Sequence, residues 1–498
     1  MDAVEDRSEA LPDLAAHAHE RHVVVVGGGI AGLVAAHECA KVGLAVTLVE
    51  AAGRLGGTIG DAEVDGMPVG TGATCWATAG GGVARLVDEL GLTDAVVEPA
   101  ENAVWVSGLP TGAAPMPRET VRGIPANPWA DDVRAIIGWS GAWRAYVDRL
   151  RPPMTIGVER SLARLVGSRM GDAVLERMVA PLTVGGYGIR PEEVDVDVAA
   201  PGLNGALTRT GSLGGAVAEE LVDRSGAPGI QSLAGGLPRL VDALAARLSE
   251  LDVDVRTDTE VLRLERDDAE RWLLRIPSTD DEAVTDAADP IAPADAVIVA
   301  TDEQAARMLL EPVVPDLATV RTRGPIDVET VTLVVASTAL DDRPRGTACY
   351  PVPGTAAAAG VLHETVRWAW LAEAAGAGRH VLRLTFGTAD VAPITAGMAD
   401  AEAIERAADA ASEILGIPRP ELIVRDGVRE RHILARPASV LGHADDTRAV
   451  RSAIAAIPPL SAVGAWLAGS GLAHSVDDAV AESERVRRSV LWGSDAAE

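Results

Sequence analysis

Residues 22–59, HVVVVGGGIAGLVAAHECAKVGLAVTLVEAAGRLGGTI, leave few folds open to the rest of the chain. Four consecutive valines, Val23 to Val26, run into a glycine cluster. A short β-branched run bounded this way reads as a strand buried on both faces. Gly27, Gly29 and Gly32 then fall on the G-x-G-x-x-G spacing, with Gly28, Ile30 and Ala31 between them. The first glycine allows a tight turn, the second lets backbone approach a pyrophosphate, and the third lets the next helix pack against the strand. That helix, Ile30 to Val42, would aim its unpaired N–H groups and its dipole at the phosphates. A second strand, Ala45 to Val49, ends in Glu50, an acid placed to hydrogen-bond an adenosine ribose.

The continuation through Ala51, Arg54, Gly56, Gly57 and Thr58 resembles the E-x-x-x-R-x-G-G-x signature of FAD proteins in the amine oxidase and protoporphyrinogen oxidase superfamily. Arg54 supplies a cation near the pyrophosphate, and the glycine pair lets backbone run beside a cofactor. Gly72, Ala73, Thr74 and Cys75, in a second glycine-rich segment, match the family's flavin-lining stretch.

A chain of 498 residues, 48% hydrophobic, can bury a large core, and its length suggests two or three domains. A net charge of −29 argues against a nucleic-acid partner. Three scattered cysteines, Cys39, Cys75 and Cys349, form no C-x-x-C, so neither a disulfide framework nor a zinc site is expected, and a reducing cytoplasm fits. Met1 to Glu20 is acidic and Ala-rich, a loose tail rather than a signal peptide. Ser452 to Val476 lacks charged residues and is long enough to span a bilayer. Pro458-Pro459 and Gly469-Ser470-Gly471 interrupt it, so it reads as helix end, buried strand and glycine loop, with a helix from Val476 and no transmembrane segment.

The expected fold is α/β: a discontinuous Rossmann-type FAD-binding domain, a mixed β-sheet substrate domain and an inserted helical lobe. The boundaries are an N-terminal tail at 1–20; the FAD-binding domain at 21–100, 225–305 and 428–498; the substrate domain at 101–125 and 306–427; and the helical insertion at 126–224. Within them, Ala296 to Thr301 reads as a buried strand ending at the cofactor edge. A run of strands follows from Val331 to Phe386, then a helix from Glu402 to Leu415. Asp281 to Asp289 reads as a polar excursion.

Further segments resemble the porphyrinogen oxidase branch of that superfamily. Met178 to Gly188 is similar to its P-L-x-x-G-V-Y-x-G-D-P element, and Ser232 to Leu248 to its S-L-x-G-G block. Arg367 to Leu371 with Gly378 to Arg383 resembles K-W-x-W-L…H-V-L-R. Gly464, Ser470, Gly471 and Leu472 sit where the family has its flavin-contacting glycines, and Val261 and Ala300 join the cofactor set. The chain departs from the pattern at Ile189-Arg190-Pro191, Arg431-His432, Pro437-Ala438-Ser439, Ala473 and Ser475.

The resemblance implies FAD, dioxygen as terminal acceptor, hydrogen peroxide as by-product, and coproporphyrinogen III as the substrate in haem biosynthesis. Whether a ferrochelatase docks downstream to collect the product stays open. Aromatising a porphyrinogen removes six electrons and six protons, two electrons per round, and is itself downhill. No nucleophile, catalytic dyad or metal is therefore expected. The site needs an apolar slot and cations for carboxylates, for which arginine forks suit best. Candidates are Arg118, Arg122, Arg367 and Arg383, with Tyr187 lining the slot and His363 beside it. Protoporphyrinogen IX oxidation, amine oxidation, carotenoid desaturation and a catalytically silent flavoprotein or porphyrin carrier stay open at this point, as does the oligomeric state.

Overall fold

The computed structural model describes residues 18–151, 159–223, 229–277 and 291–493. The polar stretch 281–289 and nearly all of the N-terminal tail lie outside the described residues.

The valine strand, His22–Val26, forms the centre of a five-stranded sheet. Across it the order is Asp254–Arg256, Ala45–Val49, His22–Val26, Ala296–Val299, Leu460–Ala462, and every pairing is parallel. Numbered along the chain, that order is third, second, first, fourth, fifth, so a crevice opens where the first and fourth strands end. Val23 and Val25 pack with the helices Ile30–Ala40, Pro238–Glu250 and Leu472–Trp492. Val24 and Val26 pack on the other face, with the helix Glu303–Leu310 and the hairpin Arg263–Arg266/Trp272–Arg275. Full burial stabilises each such side chain by about 1.5–3 kcal/mol, which is why a run without polar alternation settles at the middle of a covered sheet.

The second sheet has seven strands: Ile423–Leu434, Ile326–Ala336, Arg379–Phe386, Gly360–His363, Ala348–Pro351, Val104–Leu109 and Gly112–Pro115. Its pairings are antiparallel except between Ala348–Pro351 and Val104–Leu109. The helix Asp400–Leu415 covers one face through Ala407, Ala411 and Ile414. Trp368, Leu371 and the hairpin residues Met67 and Val69 cover the other. The helical lobe, from Asp131–Tyr146 to Leu213–Asp223, shares a core with Ile326 and Val328 of this sheet. Four aromatics, Trp129, Trp139, Trp143 and Tyr146, cluster on the lobe, with ring centroids 5.8–6.3 Å apart.

Three readings need correction. The boundary at 428 falls inside the strand Ile423–Leu434, which belongs to the second sheet throughout. Its residues Arg425, Asp426, Gly427, Arg429, Glu430 and Arg431 give it little apolar character. As an edge strand it buries little, and its charges discourage pairing with another chain. The stretch Ser452 to Val476, expected as helix end, buried strand and glycine loop, has one further turn of helix, Ala465–Ala468, between the strand Leu460–Ala462 and the loop. The last helix begins at Leu472 rather than Val476, because Gly471 is its N-cap. Among the described residues no helix is long and apolar enough to cross a membrane.

Candidate cofactor and substrate cleft

Three passes of the chain meet at the crevice. In the first, Gly27 turns at φ +110° and donates its N–H to Val49 O at 2.7 Å. A β-carbon on Gly32 would stand 1.8 Å from Gly27 O, so only glycine lets the helix Ile30–Ala40 approach the strand this closely. Glu50 accepts from the N–H groups of Gly28 (2.5 Å) and Ala52 (2.8 Å), tying the ends of the two strands together. In the second pass, Gly56 N donates to Gly28 O, and Ala73 N donates to Thr58 O, each at 2.9 Å. A β-carbon on Gly72 would lie 1.7 Å from Thr58 O. In the third, Gly464 (φ +120°) and Gly471 (φ +125°) lead into the helix Leu472–Trp492, and Gly469 lies against Ala438.

These passes enclose a cavity of about 960 Å³ that continues between the lobe and the second sheet. Gly27, Gly29, Ile30, Ala31, Glu50 and Ala51 line it, as do Gly57, Thr58, Gly72 and Ala73. Val261, Ala300, Gly464, Ser470, Gly471 and Leu472 complete this part of the wall. Gly28, Gly32 and Gly56 stand one layer behind, where they close the turns. Arg54 is exposed, donating to Ile59 O and pairing with Glu430 at 3.2 Å.

A dinucleotide fits this wall. Gly29 has an ordinary φ of −69°, and a β-carbon there would meet nothing nearer than 3.9 Å. Neither strain nor packing explains glycine at this position, whereas backbone-to-ligand approach does. The helices starting at Ile30 and Leu472 have no side-chain cap and no acid in the first turn, so both leave N–H donors for an anion.

Several expected residues lie elsewhere. Thr74 and Cys75 turn away from the cavity: Thr74 O accepts from Ser232 Oγ at 2.6 Å, and Arg367 donates to Cys75 Sγ at 3.1 Å. Arg118 is exposed and outside the wall. Arg383 is buried within the second sheet, donating to Gly70 O at 2.8 Å, with Glu364 at 3.8 Å. Burial pushes Arg383 below the usual arginine range, and Glu364 opposes the shift. His363 is buried as well; its Nε2 lies 3.1 Å from His380 Nδ1, and His380 Nε2 lies 3.1 Å from Asp341. Burial, then His380, lowers the His363 pKa to about 3. On a sheet, neighbouring side chains alternate between faces, and motif likeness does not say which face meets a ligand. Tyr187 does line the cleft, because Gly188 (φ +68°) ends its helix there, and Arg122 donates to its hydroxyl at 2.7 Å.

The cleft's own arginines were not among the candidates: Arg307, Arg321, Arg323 and Arg436. Arg323 binds Asp446 at 2.7 Å, Arg436 pairs with Glu193, and Arg307 pairs with Glu303 and Glu311. The one available signal was the i, i+2 spacing of Arg321 and Arg323 ahead of Gly324-Pro325. His432 also lines the cleft, against Gly72, with Nε2 3.2 Å from Thr71 O. Burial lowers its pKa against the opposing pull of Glu430, so it is neutral at neutral pH.

The glycine-lined crevice at the end of this discontinuous parallel sheet, with two uncapped helix N-termini facing it, defines a dinucleotide-binding protein, and the family match makes it an FAD-dependent oxidoreductase. The chain belongs to the flavin containing amine oxidoreductase family, whose profile matches residues 30–491. It is 30% identical to the coproporphyrinogen III oxidase of Mycobacterium bovis, over 96% of this chain and 98% of that protein. It is 25% identical to the protein of the same name from Propionibacterium freudenreichii subsp. freudenreichii, over 96% and 92%. A crystal structure from Exiguobacterium sp. 255-15, provisionally named a protoporphyrinogen oxidase, superposes with a TM-score of 0.79 at 23% identity, covering 94% of this chain and 98% of that one.

Proposed function

We propose that this protein oxidises coproporphyrinogen III to coproporphyrin III, using dioxygen and releasing hydrogen peroxide. The observation that carries this reading is the end-to-end likeness to proteins named coproporphyrinogen III oxidase. The cleft agrees with it. Beyond the glycine wall its sides are apolar, with Val184, Ile326, Val328, Ile433, Leu434 and Met308, and arginines stand among them. A flat tetrapyrrole with carboxylate arms needs that combination.

When bound, FAD supplies hydride acceptance and reoxidation by dioxygen. Gly27, Gly29 and the helix start at Ile30 would hold its pyrophosphate, Glu50 its ribose, and Gly57, Thr58, Gly72 and Ala73 its ring. The remaining task of the chain is to orient a flat substrate, exclude water from its faces and hold its carboxylates. No side chain is assigned as nucleophile, since the oxidation needs none.

Two observations weigh against amine oxidation. Lys41, the single lysine, caps the first Rossmann helix and pairs with Glu38 and Glu89, away from the cleft. Of the three tyrosines, Tyr187 alone lines the cavity; Tyr146 is in the aromatic cluster of the lobe, and Tyr350 packs against Gly185 and Gly360. The test is to give the FAD-loaded protein coproporphyrinogen III, protoporphyrinogen IX and a panel of amines in air, following porphyrin fluorescence and peroxide. Coproporphyrin formation is expected, with three rounds of two-electron oxidation and so three peroxides per porphyrin. Peroxide release with an amine and no porphyrin formation would sink the reading.

A further inference from the structure

We infer that Arg321 is the cation that takes a carboxylate arm of the substrate, and that Asp446 withholds the neighbouring Arg323 from the same task. This rests on the reading of the cleft as a porphyrinogen site. Residues 320–325 connect the turn Pro315–Thr319 to the strand Ile326–Ala336, with Gly324 turning at φ +69° before Pro325. Both Arg321 and Arg323 line the cavity.

Their surroundings differ. Asp446, on the helix His443–Ala455, accepts from Arg323 Nε and lies 2.7 Å from its Nη2. Arg436 is held by Glu193 and Gly324 O, and Arg307 by two glutamates and Leu317 O. Among the described residues Arg321 alone of these four has no carboxylate or carbonyl partner. Three acids of the wall are similarly engaged: Glu50 accepts two N–H groups, Asp302 caps the helix Glu303–Leu310, and Glu303 pairs with Arg307; Glu260 is exposed at the wall.

A chain of net charge −29 repels a polyanion at long range. Recognition of carboxylates must therefore come from short-range, geometry-specific contacts, and an unengaged guanidinium fork is the group suited to make one. Arg321 lines the same cleft as the apolar residues Ile326 and Val328, so a ring held there would present its arms to the arginines of the cleft.

The experiment measures quenching of porphyrin fluorescence on binding of coproporphyrin III, which carries four propionates, and protoporphyrin IX, which carries two, to FAD-loaded wild type, Arg321→Gln, Arg321→Lys and Asp446→Asn. Arg321→Gln is expected to weaken coproporphyrin binding about five- to tenfold, with Arg321→Lys in between because it keeps charge but not the fork. Asp446→Asn is expected to tighten binding, by removing a carboxylate and freeing Arg323. Flavin absorbance and content, read on the same samples, stay at wild-type values. Wild type that binds coproporphyrin with an unchanged affinity in Arg321→Gln overturns the assignment of Arg321 and leaves the proposed function standing. Wild type that binds neither porphyrin overturns both.

Discussion

Gly29 and Gly32 sit three residues apart and serve different ends. A side chain at Gly29 points into the cleft and strains nothing, whereas one at Gly32 collides with Gly27 O. Gly29→Val is expected to keep apoprotein stability within about 0.5 kcal/mol of wild type yet to purify without flavin. Gly32→Ala is expected to lose about 1–3 kcal/mol through overpacking. Urea melts of the apoproteins, with flavin absorbance of the purified proteins, separate the two. Arg383 makes a similar point about burial. Its guanidinium faces Glu364 inside the sheet, and neither oxygen of Glu364 has a hydrogen bond. Arg383→Ala is expected to destabilise by about 3–5 kcal/mol, since it strands a buried carboxylate. The same change at exposed Arg118 should fall within about 0.5 kcal/mol. His363 carries a pH signature. Its native pKa of about 3 lies below its ordinary value of 6.5. Between those values the unfolded chain binds the extra proton. The stability from the neutral buried ring is complete above 6.5 and falls by about 1.4 kcal/mol per pH unit on acidification. Urea melts from pH 7 to 4 should show this slope, and His363→Gln should flatten it by one proton.

At the scale of elements, the cleft depends on how the second sheet hands the chain back to the first. After the edge strand Ile423–Leu434, residues 435–440 pass under the glycine loop, where Gly469 (φ +88°) lies against Ala438 and Ser470 N donates to Arg436 O at 3.0 Å. A β-carbon on Gly469 would approach Ala438 N to 2.3 Å. Gly469→Ala is therefore expected to lift this loop and lose FAD, with a loss of stability of about 1–3 kcal/mol; flavin titration by tryptophan quenching, with melts alongside, checks both. The motif at Gly469 to Leu472 was legible in the sequence, but its support was not. Residues 423–434 alternate charge with weak apolar character, and an edge strand with one covered face carries too little hydrophobic signal to separate it from a loop. The opposite case is the first strand and helix, whose burial on both sides leaves no room for a polar residue and so prints itself on the sequence.

For the whole molecule, the cofactor would join three segments that are far apart in the chain: residues 27–32, 56–73 and 464–472. A ligand that binds only when all three are in place stabilises them together, by about 2.7 kcal/mol at a hundredfold excess over its dissociation constant. FAD addition to stripped protein should raise the melting temperature in a concentration-dependent way. Hydrogen exchange should slow in all three segments at once. Protection confined to residues 27–32 would show that the passes are not coupled.

The sequence by itself determined the nucleotide half: the valine strand, the glycine spacing, Glu50 and the late glycine loop. Each is a local backbone requirement, met by one residue type at one spacing, and such requirements survive in a linear string. The arginines of the cleft were decided only by tertiary structure. Arg118, Arg321 and Arg383 are alike as letters, and each has the same charge and fork. Arg118 is exposed away from the cleft, Arg321 is exposed on the cleft wall, and Arg383 is sealed beside Glu364. What distinguishes them is the neighbour brought up by distant segments, such as Asp446 against Arg323, and no local pattern encodes that contact.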